Sequence, residues 1–211
     1  MTSIIYLHVL AKMTSVIYIF YIEGVDFLMG ASREQKEESR RAIIAVAARL
    51  FRERGVDGVT VAEIMSAAGL THGGFPRHFA NKQELVTEAL GSTVDAGKGA
   101  EPPRARDISA FATSYLRSRH RDSPALGCVF AALGSEAARE SAETRAVLTR
   151  ALKRQIESFA LSEPGGSSRE HRIVAIGSWS AMVGALILAR ISDSEDLSDE
   201  ILLATRKFLD T

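Results

Sequence analysis

Proline is scarce in this chain, with five among 211 residues, and cysteine occurs once, at Cys128. Little proline sets aside collagen-like and disordered chains and leaves helices free to form. A lone thiol can make neither an intramolecular disulfide nor a thiolate zinc site, which suits a reducing compartment and makes the cytoplasm the expected location. Net charge is missing too: 26 basic residues balance 26 acidic ones, so any contact with a polyanion must come from a local patch. Enzyme signatures are absent. There is no glycine-rich phosphate loop, no His-Glu-x-x-His pair and no nucleophile elbow, so a catalyst is not expected. His120 and His171 have no second ligand at helical spacing, and neither metal nor cofactor is expected. No internal repeat stands out.

Residues 1–32 differ from the rest. Ile4 to Leu10 and Met13 to Ile22 are rich in Ile, Val, Tyr and Phe, yet Lys12 interrupts them and Glu23 and Asp26 follow. Each run is shorter than the roughly 20 apolar residues of a spanning helix. Met29-Gly30-Ala31-Ser32, followed by a charged helical stretch, reads as a second start. We therefore expect a doubtful apolar leader created by start-site choice, with no membrane partner. A signal anchor over Ile4 to Ile22, tethering the protein to a membrane, is the alternative.

From Arg33 onward the pattern is all-α. Ser39 to Arg54 places Ile43, Ile44, Ala47, Leu50 and Phe51 on one face and charged residues on the other, and Gly55 stops this helix. Thr60-Val61-Ala62-Glu63 is a capping box opening a second helix, which turns at Gly69. Thr71 is expected to cap a third, short helix ending near Phe79, and Asn81-Lys82-Gln83-Glu84 to open a fourth. Two short helices joined by a glycine turn and propped by a longer one predict a helix-turn-helix domain over 33–91, its second helix reading DNA. Between Arg33 and Lys82, nine basic residues face six acidic ones, a modest local excess.

Residues 92–211 form the expected ligand-sensing and dimerisation domain, for about nine helices in all. Gly97 to Pro103 and Ser162 to Ser168 read as connections. Ile108 to Leu116, Val129 to Ala138, Val147 to Leu161, Ile173 to Ile191 and Leu197 to Leu209 read as helices. Ile173 to Ile191 is apolar nearly throughout and is read as a buried helix, with Gly177, Ala181, Gly184 and Ala185 permitting close approach by another. It and the last helix are expected to pair with their copies in a four-helix interface, burial within one subunit being the alternative. Ile201, Leu202, Phe208 and Leu209 are expected to point inward from the last helix.

Residues 43–90 resemble the tetracycline-repressor family of bacterial regulators. The resemblance rests on Ala47, Ala48, Leu50, Phe51 and Gly55, on Thr60-Val61 with Ile64, on the Ala68-Gly69 turn, on His78-Phe79, and on Asn81-Lys82 with Leu85. It implies a homodimer whose reading helices enter successive major grooves of a near-palindromic double-stranded operator, released by a small-molecule effector. Thr60 and Lys82 then fall at phosphates, Thr71, His72, Gly73, Gly74 and Arg77 in the reading helix, and His78 near the DNA backbone. Gly73 and Gly74 have no side chains to read bases, which leaves His72 and Arg77 for base edges. Pro76 departs from the family, which usually has Tyr there, and puts the register on DNA in question.

Phe111, Tyr115, Phe130 and Trp179 are candidate effector-pocket residues, or plain core. Cys128 opens a predicted helix where N–H dipoles favour a thiolate, so it is a candidate sensor of oxidants or electrophiles, or a small buried apolar residue. A helical small-molecule-binding protein without DNA function is the reading from another class.

Overall fold

The computed structural model describes residues 33–95, 105–162 and 168–210. The apolar leader and the Gly97 to Pro103 connection lie outside the described residues, as does most of the Ser162 to Ser168 linker. The chain divides into two compact units, 1–42 and 43–211. Of the first, residues 33–42 are described and are helical throughout.

The second unit begins with α1, residues 43–54, which buries Ile43, Ala47, Leu50 and Phe51 along the predicted stripe. It stops at Gly55, whose φ of +81° lies in the left-handed region that a side chain resists. Helix α2, Val61–Ala67, opens with the full capping box: the Glu63 N–H donates to Thr60 Oγ1 at 3.2 Å, and the Thr60 N–H donates to Glu63 Oε2 at 2.8 Å. Gly69, at φ +73°, makes the turn.

The next element departs from expectation. His72–Arg77 is a six-residue 3-10 helix, and Thr71 at its N-cap makes no side-chain capping bond. Pro76 lies inside it, without the N–H that an α-helix needs there, and Gly73 and Gly74 weaken α-helix further. Buried Phe75 anchors the segment by stacking on Phe79, ring centroids 5.6 Å apart. Helix α3, Lys82–Asp95, follows. Asn81 Oδ1 accepts from the Glu84 N–H at 2.9 Å, but Glu84 reaches back to the N–H of Ala80, at 2.6 Å, rather than to Asn81.

Six further α-helices complete the described residues: α4 (Ile108–Tyr115), α5 (Ser118–Asp122), α6 (Val129–Ala137), α7 (Ala142–Ala160), α8 (Arg169–Ile191) and α9 (Glu195–Phe208). A 3-10 turn, Pro124–Leu126, joins α5 to α6. The packing runs as a row in which α7 lies against α3 and α8, and α8 against α9. The expected domain boundary at residues 91 and 92 falls within α3. Helix α7 starts earlier than its apolar pattern, because Ser141 Oγ caps the Thr144 N–H at 3.2 Å and the first turn is largely polar.

Two expectations about the last helices need correction. On α8, Ala175, Trp179, Met182, Ala185, Leu186 and Ala189 are buried, but Ile173, Val174, Ile176, Ile187, Leu188 and Ile191 are exposed. A helix apolar on every side does not reveal which face its own chain will cover. Its length and hydropathy would suit a membrane span, the only such helix among the described residues, yet it packs between α7 and α9. On α9, Leu202 is buried, while Phe208 is 71% exposed and not inward.

Candidate functional site

Three short segments with fixed geometry present the candidate nucleic-acid face. Thr71, His72, Gly73 and Arg77 are exposed, Gly74 and His78 half-buried, and Phe75 buried beneath them. A side chain at Gly73 would meet nothing within 4 Å, and one at Gly74 would make only ordinary contacts with Met65 and Thr71. The chain's own packing therefore does not demand glycine at either position. Thr60 is exposed at the start of α2, where Glu63 binds its N–H and hydroxyl and also pairs with Arg54 at 2.6 Å. The Arg54 hydrogen bond first, then the two from Thr60, hold the Glu63 carboxyl down to a pKa of about 2.

Lys82 has a structural partner that the sequence did not reveal. Its Nζ donates to the Val56 carbonyl at 2.7 Å and lies 6.0 Å from the centre of the Phe51 ring, and an ammonium has two further N–H groups to offer outward. This contact ties the α1–α2 connection, which leads into Thr60, to the start of α3.

The four candidate pocket aromatics come together on α4, α6 and α8. Trp179 lies 5.4 Å from Tyr115, 6.1 Å from Phe130 and 6.2 Å from Phe111, and Phe111 stacks on Tyr115 at 5.7 Å. Phe159 and His120, which the sequence reading did not assign to the cluster, join it at 5.2 Å from Phe111 and 4.5 Å from Tyr115. Phe159 follows the apolar period of α7, so the signal was present but pointed only to core. The Tyr115 hydroxyl is buried beside the Cys128 thiol, and burial, then Cys128, push its pKa upward.

Cys128 is half-buried at the N-cap of α6, and its N–H donates to His120 Nε2 at 3.0 Å. His120 Nδ1 faces the Tyr115 carbonyl at 2.7 Å, so the ring is held neutral with its proton on Nδ1; burial, opposed by that bond, lowers its pKa. Arg52 and Arg190 both interact electrostatically with Cys128. Each guanidinium is also fixed on backbone carbonyls, Arg52 on Ala125 at 2.6 and 2.9 Å and Arg190 on His120 and Arg121 at 2.9 and 3.1 Å. At the other end of α6, Glu136 Oε2 accepts the Val56 N–H at 2.7 Å. One nine-residue helix thus touches the aromatic cluster at its start and the α1–α2 connection at its end. Among the described residues no group of His, Cys, Asp and Glu is arranged to hold a metal.

Residues 43–89 match the family of bacterial regulatory proteins called the tetR family. Over these residues the chain resembles the tetR family. Over 61 residues the chain is 44% identical to the HTH-type transcriptional regulator TtgR of Pseudomonas putida, and the match covers 29% of each chain. It is 38% identical over 61 residues to the HTH-type transcriptional repressor KstR2 of Mycobacterium tuberculosis, covering 29% of this chain and 30% of the relative. The match thus spans under a third of these relatives' lengths. Solved structures extend the similarity to the whole fold. A TetR regulator from Chloroflexus aurantiacus superposes with a TM-score of 0.66 at 22% identity, covering 84% of this chain and 97% of that one. Reduced NemR of Escherichia coli gives 0.63 at 19%, covering 82% and 95%.

Proposed function

We propose that this protein is a homodimeric DNA-binding transcriptional repressor, cytoplasmic, released from a near-palindromic operator by a small molecule. The observation carrying this reading is the exposed segment Thr71 to Arg77, held on the buried Phe75 beside Thr60 and Lys82. In this reading Arg77 and His72 reach base edges, Gly73 and Gly74 let the backbone approach the duplex, and Thr60, His78 and Lys82 bind phosphates. The dimer forms through the apolar side chains that α8 and α9 leave uncovered, among them Ile187, Leu188, Ile191 and Phe208, which would otherwise be in water. Selection from random DNA, followed by anisotropy titrations at several salt concentrations, tests the reading. Lys82→Ala should weaken every sequence alike and flatten the salt dependence, whereas Arg77→Ala should also relax base preference. Failure to enrich any motif would sink it.

The effector site is the aromatic cluster of Phe111, Tyr115, Phe130 and Trp179, with the buried Tyr115 hydroxyl beside Cys128 as its polar handle. Cys128, half-buried at the start of α6 and packed against this cluster, is the candidate point of attack for an electrophilic effector. Operator binding by wild type and Cys128→Ser, each with and without N-ethylmaleimide, decides this. Equal sensitivity in both leaves a reversible, non-reactive effector.

A further inference from the structure

A groove of about 570 Å³ lies between the α4–α5 corner and α9, away from the aromatic cluster. That volume falls within the roughly 300–1,000 Å³ of small-molecule sites. Its lining is Leu116, Arg117, Ser118, Arg119, Asp199, Leu202, Leu203 and Arg206. Three guanidinium groups therefore meet around Leu203, the open leucine of the lining, with Leu116 and Leu202 buried behind it. Asp199, the one acidic residue, is already engaged by Arg121 at 2.7 Å, and Arg121 is also held by Asp122. Arg206 Nε is buried without a hydrogen-bond partner, a donor whose desolvation nothing in the described chain offsets. Arg117 uses Nε on the Thr113 carbonyl, which leaves its terminal nitrogens for a ligand.

The groove shares Leu203 with the uncovered apolar surface of α9 but leaves out Leu197 and Phe208. Asp199, Leu202, Leu203 and Arg206 follow i, i+3, i+4, i+7 spacing, whereas Leu197, Ile201, Ala204 and Phe208 form a second stripe on the opposite side of the helix. A second subunit on the latter stripe would leave the groove open.

We propose that this groove binds an amphiphile with a single anionic head, whose oxyanion is gripped by Arg117, Arg119 and Arg206 and whose alkyl chain lies on Leu203 and the methylene stems of the arginines. Guanidinium forks match carboxylate and phosphate oxygens in plane, and Leu203 with the arginine stems rewards a chain that acetate lacks. The inference does not depend on DNA binding or on the dimer.

Calorimetric titration of the full chain tests it, using dodecanoate, dodecyl phosphate, dodecyltrimethylammonium and acetate below micellar concentrations. At least one dodecyl anion should saturate one site per chain, with the ammonium and acetate at least tenfold weaker. The stronger anion identifies the head as carboxylate or phosphate. Arg119→Gln with Arg206→Gln should weaken that anion at least tenfold, while Trp179→Ala should change it less than twofold. Arg119→Gln alone, at an exposed position, carries the test if the Arg206 change disturbs folding. Binding that ignores head charge, survives the arginine changes or vanishes on Trp179→Ala would overturn the proposal, as would no binding of either anion.

Discussion

In the head, residues 43–95, Phe51, Ile64, Met65, Phe79 and Leu85 are each no more than 2% exposed, and none of the large hydrophobic side chains is strongly exposed; behind it, α8 and α9 leave Ile173, Ile191, Leu197 and Phe208 open at 49–73%. Both regions are helical and similarly apolar at their centres. The difference lies in how they close. The head completes its core within one chain, borrowing Val129, Leu133 and Ala137 from α6 and Leu148 from α7. The body has a core around Trp179, Phe159 and Met182 and, beyond it, an apolar face that its own chain does not cover. Phe130 packs against both cores. A head closed by itself suits a rigid reader of a fixed target, and a body open on one side suits assembly.

The largest expected effects probe the two cores directly. Phe51→Ala in the head and Phe159→Ala in the body, both fully buried, should each cost about 3–5 kcal/mol in thermal or urea unfolding, through lost transfer energy and a residual cavity. Only if the regions share one cooperative transition will either variant lower a single midpoint. Two separated transitions would show that α6 does not couple them.

Glu136→Ala tests that coupling at one bond. It leaves the Val56 N–H without its charged acceptor, and hydrogen bonds of this kind contribute about 1.5–3 kcal/mol. The loss should appear as faster amide exchange in residues 55–60. Unchanged exchange there would remove Glu136 as the link.

Acid should separate the regions by pH. His120 in the body has a folded pKa below its usual 6.5, and Glu63 in the head is held at about 2 against its usual 4.5. Each folded group binds fewer protons than the unfolded one, so stability rises with pH through each window. As pH falls, the body should therefore loosen first, below 6.5, once protonated Nε2 can no longer accept the Cys128 N–H. The head's Glu63 contribution is present above 4.5 and is lost toward 2. Trp179 fluorescence should report the first step, and His120→Gln, which keeps one donor and one acceptor, should abolish it. An unchanged step in that variant would assign it to another group.

The smallest effect on stability is expected at Gly73. Because a methyl group there meets nothing, Gly73→Ala should shift unfolding by less than about 0.5 kcal/mol. Operator affinity should nonetheless fall. A variant with equal affinity would show that the glycine serves neither packing nor DNA.

Much of the head was legible because its signals are local. The Thr60–Glu63 box, the positive φ of Gly55 and Gly69 and the apolar stripe of α1 all arise within a few residues, where side-chain type and spacing dictate geometry. Pro76 showed that the reading segment would be irregular, but whether it became a late α-helix or a 3-10 turn depended on Phe75 finding Phe79. Sequence also placed Phe111, Tyr115, Phe130 and Trp179 as candidates without showing that they would meet. Long-range partners were decided only by the tertiary structure: Lys82 on Val56, Glu136 on the same residue from the other side, His120 on Cys128, and the arginines of the α5 corner opposite α9. Nothing in local spacing encodes such pairs, because each requires two segments to be brought together by the burial of other residues between them. The same physics hid the exposed face of α8. A helix apolar all round carries no mark of its inner side, so only the positions of α7 and α9 determined which residues were left uncovered.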